Sequence, residues 1–298
     1  MLHGGITVVV CVKDDWRVLR LLDSLTRQSL SRERFSVLVI STGVERYESA
    51  LTGIDLDLEV IHSTVSRHAV QRNIGLSNTA TPYFCSTDAD CVAHVDWLAD
   101  IAAAFAEGDS DLVGVGGSIA KYRAETTTQR YGITIDDGQA TLNYLPALDL
   151  PYITGANAAY RTADVKAVNG YDEQFLCGED VDLSYKLGLS GGRLKVIDGA
   201  TIFHEDRESL REHFHRFRFY AVDQALLVKK YRDHNADSVH FNPYPWARLA
   251  SAMRSLILPT GDDEPHVRVL RAAATCAEAL GVLAGDLQGS VKHRTIYI

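Results

Sequence analysis

The chain alternates short, continuous apolar runs with stretches in which apolar residues recur three and four positions apart. Ile6 to Val12 (ITVVVCV) and Phe35 to Ile40 (FSVLVI) are β-branched runs of the kind that form strands covered on both faces. Leu58 to Ile61 is a shorter run, Tyr83 to Ser86 (YFCS) a fourth, and Asp111 to Gly117 (DLVGVGG) a fifth with glycines at its end. Between them Val18, Leu21, Leu22 and Leu25 keep helical spacing. Ser66 to Asn78 reads as a helix with Val70 and Ile74 on one face, and Val92, Val95, Leu98, Ile101 and Phe105 form an apolar helical stripe. Strands alternating with such helices predict a parallel sheet with helical crossovers. Sheets of that kind take ligands beyond the carboxyl ends of their strands.

The second half is less regular. Ala120 to Leu150 reads as a polar loop with short strands, and order returns with ITGANAAYR (Ile153 to Arg161). A short helix around Val165 to Val168, a helix opened by Glu179 and Asp180, and a strand from Leu194 to Ile197 follow. Ser209 to Tyr231 is one long helix, in which Arg216 and Arg218 flank Phe217; these arginines either reach an anionic ligand or belong to an ordinary amphipathic face. A Pro-broken loop (FNPYPW), a helix near Trp246 to Leu256, an acidic turn (GDDEP) and an Ala/Leu-rich helix from about His266 to Leu283 complete the chain.

Composition narrows the classes. At 298 residues with 46% hydrophobic and 23% charged side chains, the chain can bury a full core. The net charge of −9 argues against a nucleic-acid partner, which needs a basic face. The charge is unevenly placed: Thr79 to Asp111 holds seven carboxylates and Tyr171 to Tyr185 five, with no Lys or Arg in either. None of the five cysteines forms a CxxC pair, and Cys11 and Cys85 lie in strand-like runs as reduced core residues. No stretch approaches the ~20 apolar residues of a transmembrane segment, and the N-terminus lacks the features of a signal peptide. The expected location is the cytoplasm, with peripheral attachment to a membrane left open. GxGxxG and GxxxxGK[ST] are both absent, which removes the main support for a dinucleotide oxidoreductase and a P-loop NTPase.

Four clusters carry candidate chemistry. Asp88-Ala89-Asp90 ends a buried strand, where two carboxylates can chelate a hard divalent cation together with phosphate oxygens; the plainer reading is an acidic helix start. Glu179 and Asp180 open a helix, whose free N–H groups hold a carboxylate in place as a general base requires; the plainer reading is a capped, solvated helix start. Asp182 belongs to the solvated side of that helix. Arg72 and Asn73 lie on the third helix, next to a ligand cleft or on an ordinary amphipathic face. His204 follows the last strand, either as a further metal ligand or as a surface histidine.

Taken in order, QRNIGL, the strand ending in DAD, TGANAAYR, GYDE, GED and HED resemble the inverting family-two glycosyltransferases. The likeness covers roughly residues 6 to 220. It implies a GT-A fold, an α/β Rossmann-like mixed sheet flanked by helices, with a C-terminal helical extension. The catalytic domain would span 1–232, with a nucleotide-sugar half to about 117 and an acceptor half from about 118, and the extension 233–298. By resemblance Asp90, with Asp88, binds Mg²⁺ or Mn²⁺ on the donor diphosphate, and His204 matches a metal ligand of some members. Val12, Lys13, Ser41, Arg72, Asp88, Ala89 and Asp90 stand at nucleotide-sugar-binding positions. Asp180 is the catalytic base, and Gly155, Asn157 and Glu179 line the acceptor side.

Two departures bear on the donor. The family places an acidic pair after the second strand and an aromatic residue after the first; here Ser41-Thr42 and Lys13-Asp14 stand there. A UDP-sugar is therefore a default, with GDP- and dTDP-sugars open. The expected acceptor is a small molecule, a glycan or a lipid-linked hydroxyl, and a homodimer through the C-terminal helices is a further expectation. The helix reading HFHRFRFY lacks the QxxRW of processive synthases, which favours single transfer. A nucleotidyltransferase and a non-catalytic binding module remain the alternatives.

Overall fold

The computed structural model describes residues 5–43, 48–126, 129, 139, 141–145, 148–234, 244–257 and 265–293. Residues 241–243 of the loop FNPYPW and 261–264 of the turn GDDEP fall outside these residues, as does much of the segment expected as a loop between Ala120 and Leu150.

The β-branched runs form strands as their composition dictates: β1 (Ile6–Lys13), β2 (Phe35–Thr42), β3 (Leu58–His62) and β4 (Tyr83–Asp88). β1 pairs in parallel with β2 and β4, and β2 with β3. Side chains of β1 alternate between two cores. Val8, Val10 and Val12 pack with Leu21, Leu22 and Leu25 of α1 (Val18–Leu25) and with Trp97, Leu98 and Ile101 of α4 (Trp97–Glu107). Val9 points the other way, toward Ala69 and Leu76 of α3 (His68–Asn78) and Leu183 of α6 (Glu179–Leu189). Helices therefore cover both faces of the sheet, and this strand is apolar from Val8 to Val12 for that reason.

The sheet is mixed, not wholly parallel. Its order is β11-β6-β10-β4-β1-β2-β3, with β6 (Leu112–Gly116), β10 (Asn157–Arg161) and β11 (Arg193–Val196). β10 lies antiparallel between β4 and β6. A strand's direction depends on the connection that delivers it, so NAAYR carries no local sign of it.

The stripe beginning at Val92 is divided differently from the expected helix. Val92 belongs to a short strand, β5 (Cys91–Ala93), and Val95 is exposed before α4 begins at Trp97. β5 joins β12 (Ile202–His204) and β7 (Ile119–Lys121) in a second sheet, order β5-β12-β7. Long-range pairing captured residues whose spacing is equally helical.

By internal contacts the chain divides into two units: Met1–Tyr122, Asp136–Asn143 and Leu150–His204 in one, Arg123–Ile135, Tyr144–Asp149 and Glu205–Ile298 in the other. The second holds α7 (Leu210–Tyr231), α8 (Tyr244–Ile257) and α9 (Pro265–His293). α7 opens with a capping box between Ser209 and Glu212. Arg216 is buried in this unit against Asp206 (3.3 Å) and the Tyr220 hydroxyl (2.9 Å), the ordinary helical role. α9 runs ten residues past the expected Leu283, through Gly285 and Gly289. A Cβ on either would meet the α7 backbone, at 2.2 Å from Arg218 O and 2.9 Å from Val222 O. Close packing thus offsets the ~1 kcal/mol helix penalty of each glycine. Among the described residues, no helix is long and apolar enough to cross a membrane.

Candidate active site

The carboxyl ends of β1, β2 and β4 lie side by side, with Val12 opposite Ser41, Lys13 opposite Thr42, and Cys11 opposite Asp88. Val12 and Ser41 are buried in the sheet and Lys13 is exposed. Gln71 of α3, not singled out by its sequence, locks this edge: its amide nitrogen donates to Ile40 O (2.8 Å) and Val12 O (3.3 Å).

Asp88 ends β4, Ala89 and Asp90 make the turn, and Cys91 begins β5. β12 runs antiparallel to β5 and sets His204 opposite Cys91. His204 Nε2 thereby comes within 3.4 Å of Asp90 Oδ1, and both side chains are about nine-tenths buried. Asp90, Cys91 and His204 each contribute a ligand atom to one cluster spanning no more than 4.8 Å. A buried carboxylate beside an imidazole is a donor set that fits a divalent transition-metal ion. Arg17 Nη2 stands 3.6 Å from the other Asp90 oxygen.

Asp88 turns toward α3 instead. Its Oδ1 accepts from Arg72 Nη2 at 3.2 Å, while Arg72 Nη1 donates to Glu179 Oε1 at 2.5 Å. Burial disfavours the Arg72 charge, but the Glu179 and Asp88 carboxylates more than offset it and hold the guanidinium well above its ordinary range. A carboxylate–guanidinium–carboxylate chain thus joins the end of β4 to the first turn of α6. Tyr171 lies under the guanidinium, 5.8 Å from ring centroid to Cζ. Asn73, next to Arg72, donates to Tyr171 O (2.9 Å) and accepts from Tyr171 N (2.8 Å), clamping the GYDE segment to α3. The adjacency of Arg and Asn in QRNIGL was the signal for this; their partners were not legible.

Asp180 follows Glu179 on α6. Its Oδ2 accepts from Gly155 N at 2.7 Å and its Oδ1 from Val181 N at 2.8 Å. Burial and the neighbouring Glu179 charge raise its pKa, Arg72 and the two N–H donors oppose them, and the result is a carboxyl pushed up to about 7. Asp180 nonetheless keeps partial exposure. Gly155 must be glycine here, because a Cβ would sit 2.6 Å from Arg72 Nη1.

One expectation changes. Asp182 is fully buried, with Lys186 Nζ 3.4 Å from its Oδ2, and does not face solvent. Both sides of α6 pack inward, so an acidic residue two positions on is enclosed as well. Asn157 is also fully buried. Its oxygen accepts from Trp97 Nε1 (2.9 Å), and its nitrogen donates to Ser118 O (2.9 Å) and Ala200 O (2.8 Å). The structure thus brings together Asp88, Asp90, His204, Arg72, Glu179, Asp180 and Gly155, while Asn157 braces the strands beneath them.

Comparison with known proteins shows the family and the fold. The sequence model described as "Glycosyl transferase family 2" matches residues 7–168. A pre-mycofactocin glycosyltransferase of Mycobacterium tuberculosis is 29% identical over 245 residues, which are 80% of this chain and 50% of that protein. The chain therefore spans half the length of that curated relative. Among solved structures, a mannosyltransferase from Pyrobaculum calidifontis in complex with GDP-Man and Mn²⁺ superposes with a TM-score of 0.63 at 17% identity, covering 96% of this chain and 87% of that one. TarS of S. aureus in complex with UDP gives 0.56 at 17% identity, covering 99% and 93%. The shared fold is GT-A.

Proposed function

We propose that this chain, which belongs to glycosyl transferase family 2, moves a single sugar from a nucleoside-diphosphate donor to an acceptor hydroxyl, with inversion at the anomeric carbon. The observation that carries the reading is the Asp88–Arg72–Glu179 chain. It ties the carboxylate turn, where a donor diphosphate would be held, to the helix turn that bears Asp180.

Asp180 is the general base. It accepts the proton of the acceptor hydroxyl as that oxygen attacks the anomeric carbon from the face opposite the diphosphate. A pKa near 7 suits the task, because the carboxyl is then more basic than an ordinary aspartate yet still about half ionised at neutral pH. The N–H groups of Gly155 and Val181 fix its two oxygens, so orientation does not depend on the acceptor. Asp90 and His204 would hold the divalent cation, Mg²⁺ or Mn²⁺, and Asp88 stays within reach of the donor. A bound cation would neutralise charge on the departing diphosphate.

The donor is read as a UDP- or GDP-sugar. The two solved relatives that carry such nucleotides support the class, and Ser41 in place of a carboxylate keeps the base open. Val12, Lys13, Ser41 and Ala89 remain proposed donor contacts, and Gly155, Asn157 and Glu179 proposed elements of the acceptor side. The acceptor is a small molecule, glycan or lipid-linked hydroxyl. The division into a catalytic domain over 1–232 and an extension over 233–298 belongs to the same proposal, as does a homodimer through α9, whose Leu280, Leu287 and Val291 are exposed.

The test is a thermal-shift screen of UDP-Glc, UDP-GlcNAc, GDP-Man and dTDP-Glc with Mn²⁺, followed by release of nucleoside diphosphate. A matched donor stabilises the folded chain by mass action. No shift and no slow donor hydrolysis with any nucleotide-sugar would overturn the reading.

A further inference from the structure

Cys91 has no part in the function above, yet its sulfur stands in the same cluster as the proposed metal ligands. Asp90, Cys91 and His204 each offer one ligand atom, these atoms all lie within 4.8 Å of one another, and all three residues are buried. The backbone arranges this. Cys91 and His204 are directly opposed across the antiparallel pair β5–β12, and directly opposed residues put their side chains on the same face. Asp90 is the preceding residue, at the turn that leads into β5. The strand is held further by Ala93 N–H donating to Ser24 Oγ at 2.9 Å. The sulfur is therefore placed by paired backbone rather than by a loop. A buried cysteine among apolar neighbours acts as a small hydrophobe; Cys91 has such neighbours, and a carboxylate and an imidazole within 4.8 Å of its sulfur as well.

We infer that Cys91 is a third protein ligand of the cation held by Asp90 and His204, so that the site holds a borderline transition-metal ion such as Co²⁺ or Zn²⁺ more tightly than the harder Mg²⁺ or Mn²⁺. The inference rests on the proposed role of Asp90 and His204 and adds a sulfur to it. Mg²⁺ demands octahedral oxygen ligands and keeps its waters. Imidazole and thiolate suit the later first-row ions, and affinity rises along that row. Three protein ligands also leave coordination positions for oxygens of a bound ligand. As the metal–sulfur bond forms, the thiol proton passes to solvent.

Cobalt(II) tests this directly, because thiolate ligation produces a sulfur-to-cobalt charge-transfer band in the near ultraviolet. Co²⁺ would be titrated into the full chain alone and again with UDP or GDP, with calorimetry in parallel. The wild-type chain should show the band. Cys91→Ser should lose it and bind Co²⁺ about tenfold more weakly or worse, with Mg²⁺ binding unchanged. Cys91→Ala and thermal melts check that the variants fold, and the wild-type band needs no variant. Co²⁺ binding without a band, or a band that survives in Cys91→Ser, would overturn the assignment. Binding that His204→Ala abolishes and Cys91→Ser leaves intact would sink the Cys91 role alone. If neither Co²⁺ nor Mn²⁺ binds the wild-type chain with nucleotide present, the Asp90–His204 reading falls as well.

Discussion

Arg72 Nη1 and Glu179 Oε1 meet at 2.5 Å, with each side chain 3% exposed, although 107 residues separate them in the chain. The pair is too deeply buried for water to compensate either partner. Arg72→Met or Glu179→Leu should therefore cost roughly 3–5 kcal/mol, the expected penalty for stranding a buried charge. The double variant should be destabilised by less than the sum. Urea melts of the four proteins check this; additive losses would mean that the two charges do not depend on each other.

Asp180 governs both activity and the pH profile. Asp180→Asn should lower transfer by about 10²–10⁴-fold, the usual contribution of a general base, while donor binding persists. Transfer by the unaltered protein should fall as pH drops through about 7, where the carboxylate takes up a proton. The stability sign is the reverse of the usual aspartate. With its folded pKa raised above the unfolded value, the stability that Asp180 contributes is full below the unfolded pKa and is lost as pH rises through about 7. Asp180→Asn should thus melt higher than the parent at pH 8, with the gap closing toward pH 4.

Asp90 and His204 should act together on metal-linked donor binding. The thermal shift given by UDP or GDP with Mn²⁺ should vanish in Asp90→Ala and shrink by several degrees in His204→Ala, while melts without ligand move little. Unchanged Mn²⁺ titrations in both variants would count against a metal at this pair.

Two glycines give opposite expectations. Gly155→Ala drives a Cβ to 2.6 Å from Arg72 Nη1, so it should cost about 1–3 kcal/mol as an overpacked site and lower kcat. Gly188 lies within α6 with nothing near its added Cβ. Gly188→Ala should instead stabilise by about 0.5–1 kcal/mol through helix propensity. Denaturation of the two variants side by side checks both signs.

The strands β1 to β4, the long helix from Leu210 and the carboxylates at 88, 90, 179 and 180 were all legible in the linear pattern. Their signals are local: a β-branched run needs burial on both sides, and acidic pairs at a strand or helix end stand out in the linear pattern. Other features have no local signature. NAAYR reads as a strand of either direction, and only its connection made β10 antiparallel between β4 and β6. Val92 fits a helical stripe as well as a strand, and pairing with β12 decided it. Asp182 and Asn157 are polar residues whose enclosure follows from what packs around them. The Asp88–Arg72–Glu179 chain and the Asp90–Cys91–His204 cluster draw on residues far apart in sequence. The sequence alone determined which elements form and which carry charge; the tertiary structure decided which charges meet. Burial makes those meetings matter, because a carboxylate withdrawn from water must find a cation, a proton or a donor, and only the folded chain brings one within reach.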